Sequence, residues 1–404
     1  MLVVFNFLLF FIGIFLLLNC LYLLFFSLAG HKKIKAVQLT NQNKHYNRFC
    51  ILIPAYKENA VIIETTKSAL SHSYKGSFDV FVIADKLLPE TLTTIEKLGA
   101  NVIEVNFEKS TKGKALQAAF EALPSNIYDI ALVLDVDNIM GSNVLEEINA
   151  AFLSGYKVVQ THRTAKNMDT SFAFLDMCNE EINNHIYRKG QFAVGLSSAL
   201  IGSGMAFTFS YLKKLLIGIG ETVGEDKELD FRIAKDQVKI CYLNKVYVYD
   251  EKIENAEVFT NQRTRWISAQ WELLKKYSGE GVVRLIKYRN FEFFNKVLQA
   301  YLVPRMLLLG LLGLLFLASF FLPVGPSPLF WAALLMALCA ALLIALPVKV
   351  YKNKKLLKAV LQLPYALFCM FIALLKINKA KTSFLATPHT NKAVSPSLID
   401  KPES

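Results

Sequence analysis

The stretch Asp129-Ile130-Ala131-Leu132-Val133-Leu134-Asp135-Val136-Asp137-Asn138 decides the fold. It reads as a buried strand: an apolar run, β-branched in part, that ends abruptly in carboxylates. Residues two apart on a strand face the same side, so Asp135 and Asp137 are expected to leave the strand end towards one site. Two carboxylates with an Asn carbonyl form a hard-oxygen cluster suited to Mg²⁺ or Mn²⁺, ions that keep waters and share positions with phosphate oxygens. Taken alone, the same residues equally describe a strand followed by an Asp/Asn-rich turn.

Working outward, strands and helices alternate on both sides of this stretch. Phe49 to Ile53 is a strand closed by Pro54, and a helical pattern runs from Val61 to Leu70. Phe78 to Ile83 is a second strand ending at Asp85, followed by a helix over Leu92 to Leu98. Val102 to Val105 is a third strand, and Gly113 to Leu123 a helix. Strands spaced by helices of this length predict an α/β fold, a mostly parallel sheet with helices on both faces. In such sheets ligands bind beyond the carboxyl ends of the strands, where Pro54 to Glu58, Asp85 and Asp135 to Asn138 all fall. Later come a helical pattern over Asp169 to Asn184, a Gly/Ser-rich segment (Gly195 to Gly204), a helix opened by Gly224-Glu225-Asp226, an edge strand over Ile240 to Val248, and a helix opened by Gln262-Arg263-Thr264-Arg265-Trp266.

The 404 residues are 53% hydrophobic, and the charge is concentrated in the middle of the chain. Residues 1–30 carry no charge and are long enough to span a bilayer, which needs roughly 20 apolar residues. Ser27-Leu28-Ala29 could pass as a cleavage site, but a basic leading region is missing and the apolar run exceeds a signal core, so an uncleaved anchor is expected. Spans are expected at about 303–323 and 327–347. The third apolar stretch, 357–376, holds Gln362 and Pro364 between lysine clusters and is expected to lie in the interface or re-enter. Basic residues such as Lys32, Lys33 and Lys349 to Lys358 lie beside these runs, which places the middle domain in the cytoplasm of a multi-pass inner-membrane protein. The net charge of +12 is thereby explained as juxtamembrane, without nucleic acid. The six cysteines have no paired spacing, which argues against a zinc site or disulfide framework. The expected layout is an anchor (1–30), a linker (31–47), a cytosolic domain (48–290), a membrane region (291–382) and a cytosolic tail (383–404).

Ile53-Pro54-Ala55-Tyr56-Lys57-Glu58, Ala84-Asp85, Lys112-Gly113-Lys114-Ala115-Leu116, Asp135-Val136-Asp137, Gly224-Glu225-Asp226 and Gln262-Arg263-Thr264-Arg265-Trp266 occur in that order. The sequence therefore resembles the membrane-bound family 2 glycosyltransferases, which include the cellulose, chitin, hyaluronan and poly-N-acetylglucosamine synthases. The resemblance covers about Phe49 to Tyr277 and implies a GT-A-type fold. It implies that Pro54, Tyr56, Glu58 and Asp85 cradle the nucleotide of a sugar donor, most simply a UDP-sugar. Lys112 and Lys114 become an anion site, since a helix N-terminus and ammonium groups both favour phosphate. Asp135 lies nearer the nucleotide, Asp137 binds Mg²⁺ or Mn²⁺, and Asp226 is the general base of an inverting transfer. Gln262, Arg263, Arg265 and Trp266 close the acceptor and diphosphate end, with Gly204 in a loop near the acceptor sugar. Gly224 stands where the family more often has Thr.

Each motif has a blander explanation. Asp85 fits a turn, Lys112 to Lys114 a solvated basic turn, Glu225 and Asp226 a helix first turn, and Trp266 an interfacial anchor. His162 and His185 are read as structural. The expected activity is a β-linked polysaccharide or oligosaccharide built at the cytoplasmic membrane, or alternatively a single sugar added to a lipid-linked acceptor. A transporter fits less well, because the apolar runs Met306 to Pro323 and Ser327 to Pro347 are charge-free. A catalytically dead sugar-nucleotide sensor fits poorly with intact Asp135, Asp137, Asp226 and Arg265.

Overall fold

A computed structural model describes residues 2–34, 45–220, 222, 224–322 and 324–377. The expected tail and most of the linker lie outside these residues. Helix α1 (Leu2–Ala29) is followed by β1 (Phe49–Tyr56), α2 (Ile62–Leu70), β2 (Phe78–Asp85), α3 (Pro89–Lys97), β3 (Asn101–Val105), α4 (Lys112–Ala122) and β4 (Ile130–Val133). These four strands pair in parallel in the order β3-β2-β1-β4, as the βα alternation predicts. Both faces are covered. Ile51, Ile53, Leu132 and Leu134 pack with Ile62 of α2 on one side. Cys50, Leu52, Ala131 and Val133 pack with Leu116 and Phe120 of α4 on the other. A strand buried on both faces must be apolar at every position, hence the unbroken run over Ile130 to Leu134.

The second half of the sheet departs from the expected parallel arrangement. It comprises β5 (Ile139–Met140), α5 (Val144–Leu153), β6 (Val158–Ala165), α6 (Ser171–Asn183), a π-helical turn (Asn184–Gly190), α7 (Gln191–Ala193), β7 (Met205–Thr208), α8 (Phe209–Leu216), α9 (Glu225–Lys235) and β8 (Ile240–Asp250). The full order is β3-β2-β1-β4-β7-β6-β8-β5. Strand β7 runs antiparallel to both β4 and β6, because the chain returns through the Gly/Ser segment beside β4 instead of crossing over through a helix. The sheet is therefore mixed. Nor is β8 an edge: it lies parallel to β6 and is capped on its far side by the two-residue β5.

The remaining described chain is mostly helical: α10 (Ala256–Tyr288), α11 (Phe291–Tyr301), α12 (Arg305–Ala318), α13 (Pro328–Ala345), α14 (Val348–Tyr351), α15 (Lys355–Leu361) and α16 (Leu363–Leu375). Among the described residues two helices, Val3–Ala29 and Pro328–Ala345, are long and apolar enough by themselves to cross a membrane. Helix α12 alone is about 21 Å long, short of a hydrocarbon core of roughly 30 Å. It passes the same test only together with α11, from which it bends by 54°. Helices α15 and α16 likewise pass the test only together, as a pair bent by 49° that is a broken span or a re-entrant segment.

Helices α1 and α13 lie side by side and run in the same direction. Near one end the Gly325 N–H donates to Asn6 Oδ1 (2.6 Å), and near the other Ser27 Oγ donates to the Ala341 carbonyl. Between them Asn19 Oδ1 accepts from the Val303 N–H (2.9 Å), and Tyr22 donates to Asn295 Oδ1 (2.9 Å). These bonds satisfy polar groups that would otherwise face lipid. Below them the π turn touches α1 so closely that a Cβ on Gly190 would lie 2.3 Å from the Phe26 carbonyl oxygen. Gly190→Ala is expected to lower the Tm of the detergent-purified protein by several degrees. Gly279→Ala, where nothing lies within 4 Å, should leave Tm unchanged or raise it slightly. A melting series on the two variants checks the contact.

Candidate functional site

The carboxyl ends of β1, β2 and β4 open onto a cavity of about 640 Å³. Its lining includes Pro54, Tyr56 and Glu58 after β1, Asp85 at the end of β2, and Asp135 and Asp137 after β4. Register places Tyr56 directly beside Asp85. Asp85 is 2% exposed, and its Oδ1 has no hydrogen-bond partner. A buried acceptor left unmet is costly, so this atom is shaped for a donor that a ligand brings.

Asp135 and Asp137 do not sit on the strand, as the two-residue spacing had implied. β4 ends at Val133, and the pair occupies a turn closed by the Asn138 N–H donating to the Asp135 carbonyl (3.1 Å). They share the cavity because a relay holds the turn. The Asp135 N–H donates to Ser203 Oγ (2.9 Å), Ser203 donates to Asn138 Oδ1, and Asn138 Nδ2 donates to Asp137 Oδ1 (3.0 Å). The Glu251 N–H donates to the other oxygen, Asp137 Oδ2 (2.7 Å). Each carboxylate oxygen of Asp137 keeps a second lone pair. Among the described residues no three His, Cys, Asp or Glu side chains form a metal cage. Two carboxylates at an open cavity suit instead an ion whose other positions are filled by water and phosphate.

Gly204 and Lys114 fall outside the cavity lining. Gly204 adopts a φ of +59°, and a Cβ there would meet Thr161 Oγ1 at 2.2 Å. Its neighbours Gly202 and Ser203 face the site instead. Lys114 Nζ lies 3.2 Å from the Lys109 carbonyl. Lys112, the first residue of α4, donates to Asp135 Oδ1 and to the Gly202 carbonyl (2.6 Å). Burial alone would lower the Lys112 pKa, but Asp135, Glu225 and Asp226 raise it overall.

Glu225 and Asp226 open α9 at the cavity wall. Gly224 is required there: a Cβ would come within 3.0 Å of Ala269 Cβ on α10, so the departure from Thr reflects close helix packing. Burial pushes the Glu225 carboxyl up to about 7, with Asp226 and Asp135 adding to the rise against Lys112. On α10, Gln262, Arg265, Trp266 and Ala269 follow helical spacing and line the cavity together. Arg263 also borders it, but its guanidinium pairs with Asp176 of α6 and stacks 4.1 Å from the Trp266 ring centre.

Sequence reasoning missed an ion network beneath these groups. Arg163 of β6 reaches Glu180 (2.8 Å), Asp250 (3.3 Å) and Asp135 (3.8 Å), and Lys252 reaches Asp250 (2.7 Å). Burial pushes Glu180 up, but Arg163, Lys252 and Arg188 outweigh it and hold the carboxyl well below its ordinary range. His162 is buried among Glu181, Asn184 and Tyr242, consistent with a structural role.

Glutamate 225 gives a pH test. Its folded-state pKa lies above the unfolded value of 4.5, so stability is lost as pH rises from 4.5 through about 7. Glu225→Gln removes that penalty. The variant should melt higher than wild type at pH 8, and the gap should close as pH falls to 4.5.

The sequence pattern of Glycosyltransferase like family 2 matches residues 47–269. The chain belongs to this family. The beta-monoglucosyldiacylglycerol synthase of Nostoc sp. is 23% identical over 267 residues, covering 63% of this chain and 56% of that protein. That of Synechocystis sp. is 21% identical over 265 residues, covering 64% and 55%. The chain thus spans about half the length of these relatives. The mannosyltransferase PcManGT from Pyrobaculum calidifontis, solved with GDP-Man and Mn²⁺, superposes with a TM-score of 0.55. It is 15% identical, over 91% of this chain and 99% of that one. This likeness is one of fold, and it extends over most of the chain.

Proposed function

We propose that this member of Glycosyltransferase like family 2 transfers one sugar from a nucleoside diphosphate donor, most simply a UDP-hexose, to a hydroxyl at the head of a membrane lipid, with inversion. One observation carries the choice of acceptor. The cavity that begins at Asp85, Asp135 and Asp137 continues past Asp226 to Val303, Pro304, Met306, Ala366 and Met370, at the base of the apolar helices α12 and α16. A lipid head can therefore reach the donor without leaving the bilayer. This favours the single-addition alternative over a growing polysaccharide, and the diacylglycerol named for the cyanobacterial relatives is an acceptor of that general kind.

In this reading Tyr56 and Asp85 receive the base or ribose, with the unmet Asp85 oxygen accepting a nucleotide N–H or O–H. Lys112 and Arg265 face the diphosphate, Arg265 with a fork that matches phosphate oxygens in pairs. Asp135 and Asp137 would hold Mg²⁺ or Mn²⁺, which when bound supplies Lewis-acid stabilisation of the leaving diphosphate. Asp226 accepts the acceptor's hydroxyl proton as that oxygen bonds to the anomeric carbon and the bond to the phosphate oxygen breaks. The basic residues flanking the apolar helices support a catalytic domain on the cytoplasmic side.

Asp226→Asn should reduce turnover by about 10²–10⁴-fold with donor affinity little changed, the range expected for loss of a general base. Nucleoside diphosphate release and donor binding, measured on the same preparation, separate the two effects. If turnover survives in Asp226→Asn but fails in Glu225→Gln, the base is Glu225. A donor screen with lipid extract, Mg²⁺ and Mn²⁺ in separate arms, should yield a lipid heavier by one sugar. A ladder of products would restore the polysaccharide reading.

A further inference from the structure

Cations that line the cavity are paired with carboxylates almost throughout. Lys112 has Asp135, Arg163 has Glu180 and Asp250, Arg188 has Glu180, and Lys252 has Asp250. Arg263 has Asp176, and Lys296 has Asp230 at 3.4 Å. Arg305 breaks this pattern. Its Nη2 donates to the Asn179 carbonyl (3.3 Å), Asn179 Oδ1 (2.6 Å) and Asn183 Oδ1 (2.8 Å), all neutral oxygens. Its Nη1 is shut off from solvent with no hydrogen-bond partner. Among the described residues no carboxylate pairs with it. A guanidinium on the cavity wall with neutral oxygens and the Tyr187 ring (5.8 Å) as its neighbours, and no carboxylate, is a ready receptor for an anion that enters the cavity.

The surroundings point to the same ligand. Arg305 is the first residue of α12, whose N-cap is Pro304 and whose first turn has no side-chain cap, so the positive end of the helix adds to the guanidinium. Gln299, also on the cavity wall, has a buried Nε2 that lies towards the Tyr22 hydroxyl without a well-formed hydrogen bond. Val303, Pro304, Met306 and Met370 supply apolar wall around these donors.

We propose that Arg305, Gln299 and the start of α12 form an anion subsite for the phosphate ester of a lipid head group, at the membrane end of the catalytic cavity. The proposal rests on the lipid-acceptor reading and narrows it: the head carries a phosphate as well as the hydroxyl that is glycosylated. Arg305 acts here as a binding and specificity residue, and the asparagines of α6 hold its fork in place.

The test compares dioctanoyl phosphatidylglycerol with dioctanoylglycerol, which share acyl chains and each offer a free hydroxyl but differ by a glycerophosphate; the Arg305 variants then separate the phosphate from the added glycerol. Binding to the full-length protein in detergent is read by thermal shift and Trp fluorescence. Wild type should bind the phosphate-bearing lipid at least tenfold more tightly. Arg305→Gln should erase that preference, and Arg305→Lys, which keeps the charge, should restore part of it. Inorganic phosphate should compete only at far higher concentration if the site is built for a lipid; competition at equal concentration would overturn the lipid assignment. Equal binding of the two lipids by wild type, or a preference that survives in Arg305→Gln, overturns the subsite. Should Arg305→Gln melt early because α12 loses its tie to α6, Gln299→Leu carries the test, since it removes a donor and leaves that tie intact. Nucleoside diphosphate release is scored separately. A lipid that binds through Arg305 but accepts no sugar supports the subsite as a resident-lipid site while counting against the proposed acceptor. Turnover on dioctanoylglycerol alone does the reverse.

Discussion

A carboxylate can stay buried at a strand end only if N–H and O–H groups are aimed at it, and Asp137 is where that constraint shapes this protein. It is 3% exposed, and its two oxygens are met from opposite sides, by Asn138 within its own turn and by the Glu251 backbone just past β8. Ser203, from the loop before β7, sets Asn138 and also takes the Asp135 N–H. Two distant segments are therefore fixed to one turn. The mixed half of the sheet exists in the arrangement that brings them there, with β7 beside β4 and β8 two strands further out.

The parallel half was legible because β1, β2 and β4 have long buried stretches and announce themselves as apolar runs between helices, with β3 a half-exposed strand at their edge. β6 was not. Its residues Gln160, Thr161, His162 and Arg163 are polar, yet the first three are buried and hydrogen-bonded, and Arg163 is embedded among Glu180, Asp250 and Asp135. A strand that buries charge against charge carries no alternation to read. β7 is only four residues long and emerges directly from a glycine loop, so propensity had little to act on.

The site divides along the same line. Tyr56, Asp85, Lys112, Asp135, Asp137 and Asp226 were readable because they follow strands or open helices; Gln262, Arg265 and Trp266 were readable by their short spacing, although α10 opens at Ala256 and not at Gln262 as expected, and the cavity gathers them all. Glu180, Asp250 and Lys252 come from a helix interior and the end of a strand, and nothing in local sequence couples them. Arg263 shows how a motif can mislead by adjacency. On a helix it faces away from Arg265 by two positions' rotation, and that turn takes it to Asp176.

The bonds between α1 and the late helices also bear on how the chain reaches its native state during synthesis. Ser27 and its partner carbonyl at Ala341 are separated by 314 positions, and Asn6, Asn19 and Tyr22 likewise bond to groups beyond residue 290. The first helix is thus made long before these mates are translated. Asn19 has an earlier partner in the Phe15 carbonyl of its own helix and Tyr22 one in Gln191, whereas the bonds of Asn6 and Ser27 wait for Gly325 and α13. Such a helix is held in waiting: its seat is set by the stretch from α11 to α13, so assembly closes on α1 rather than building outward from it.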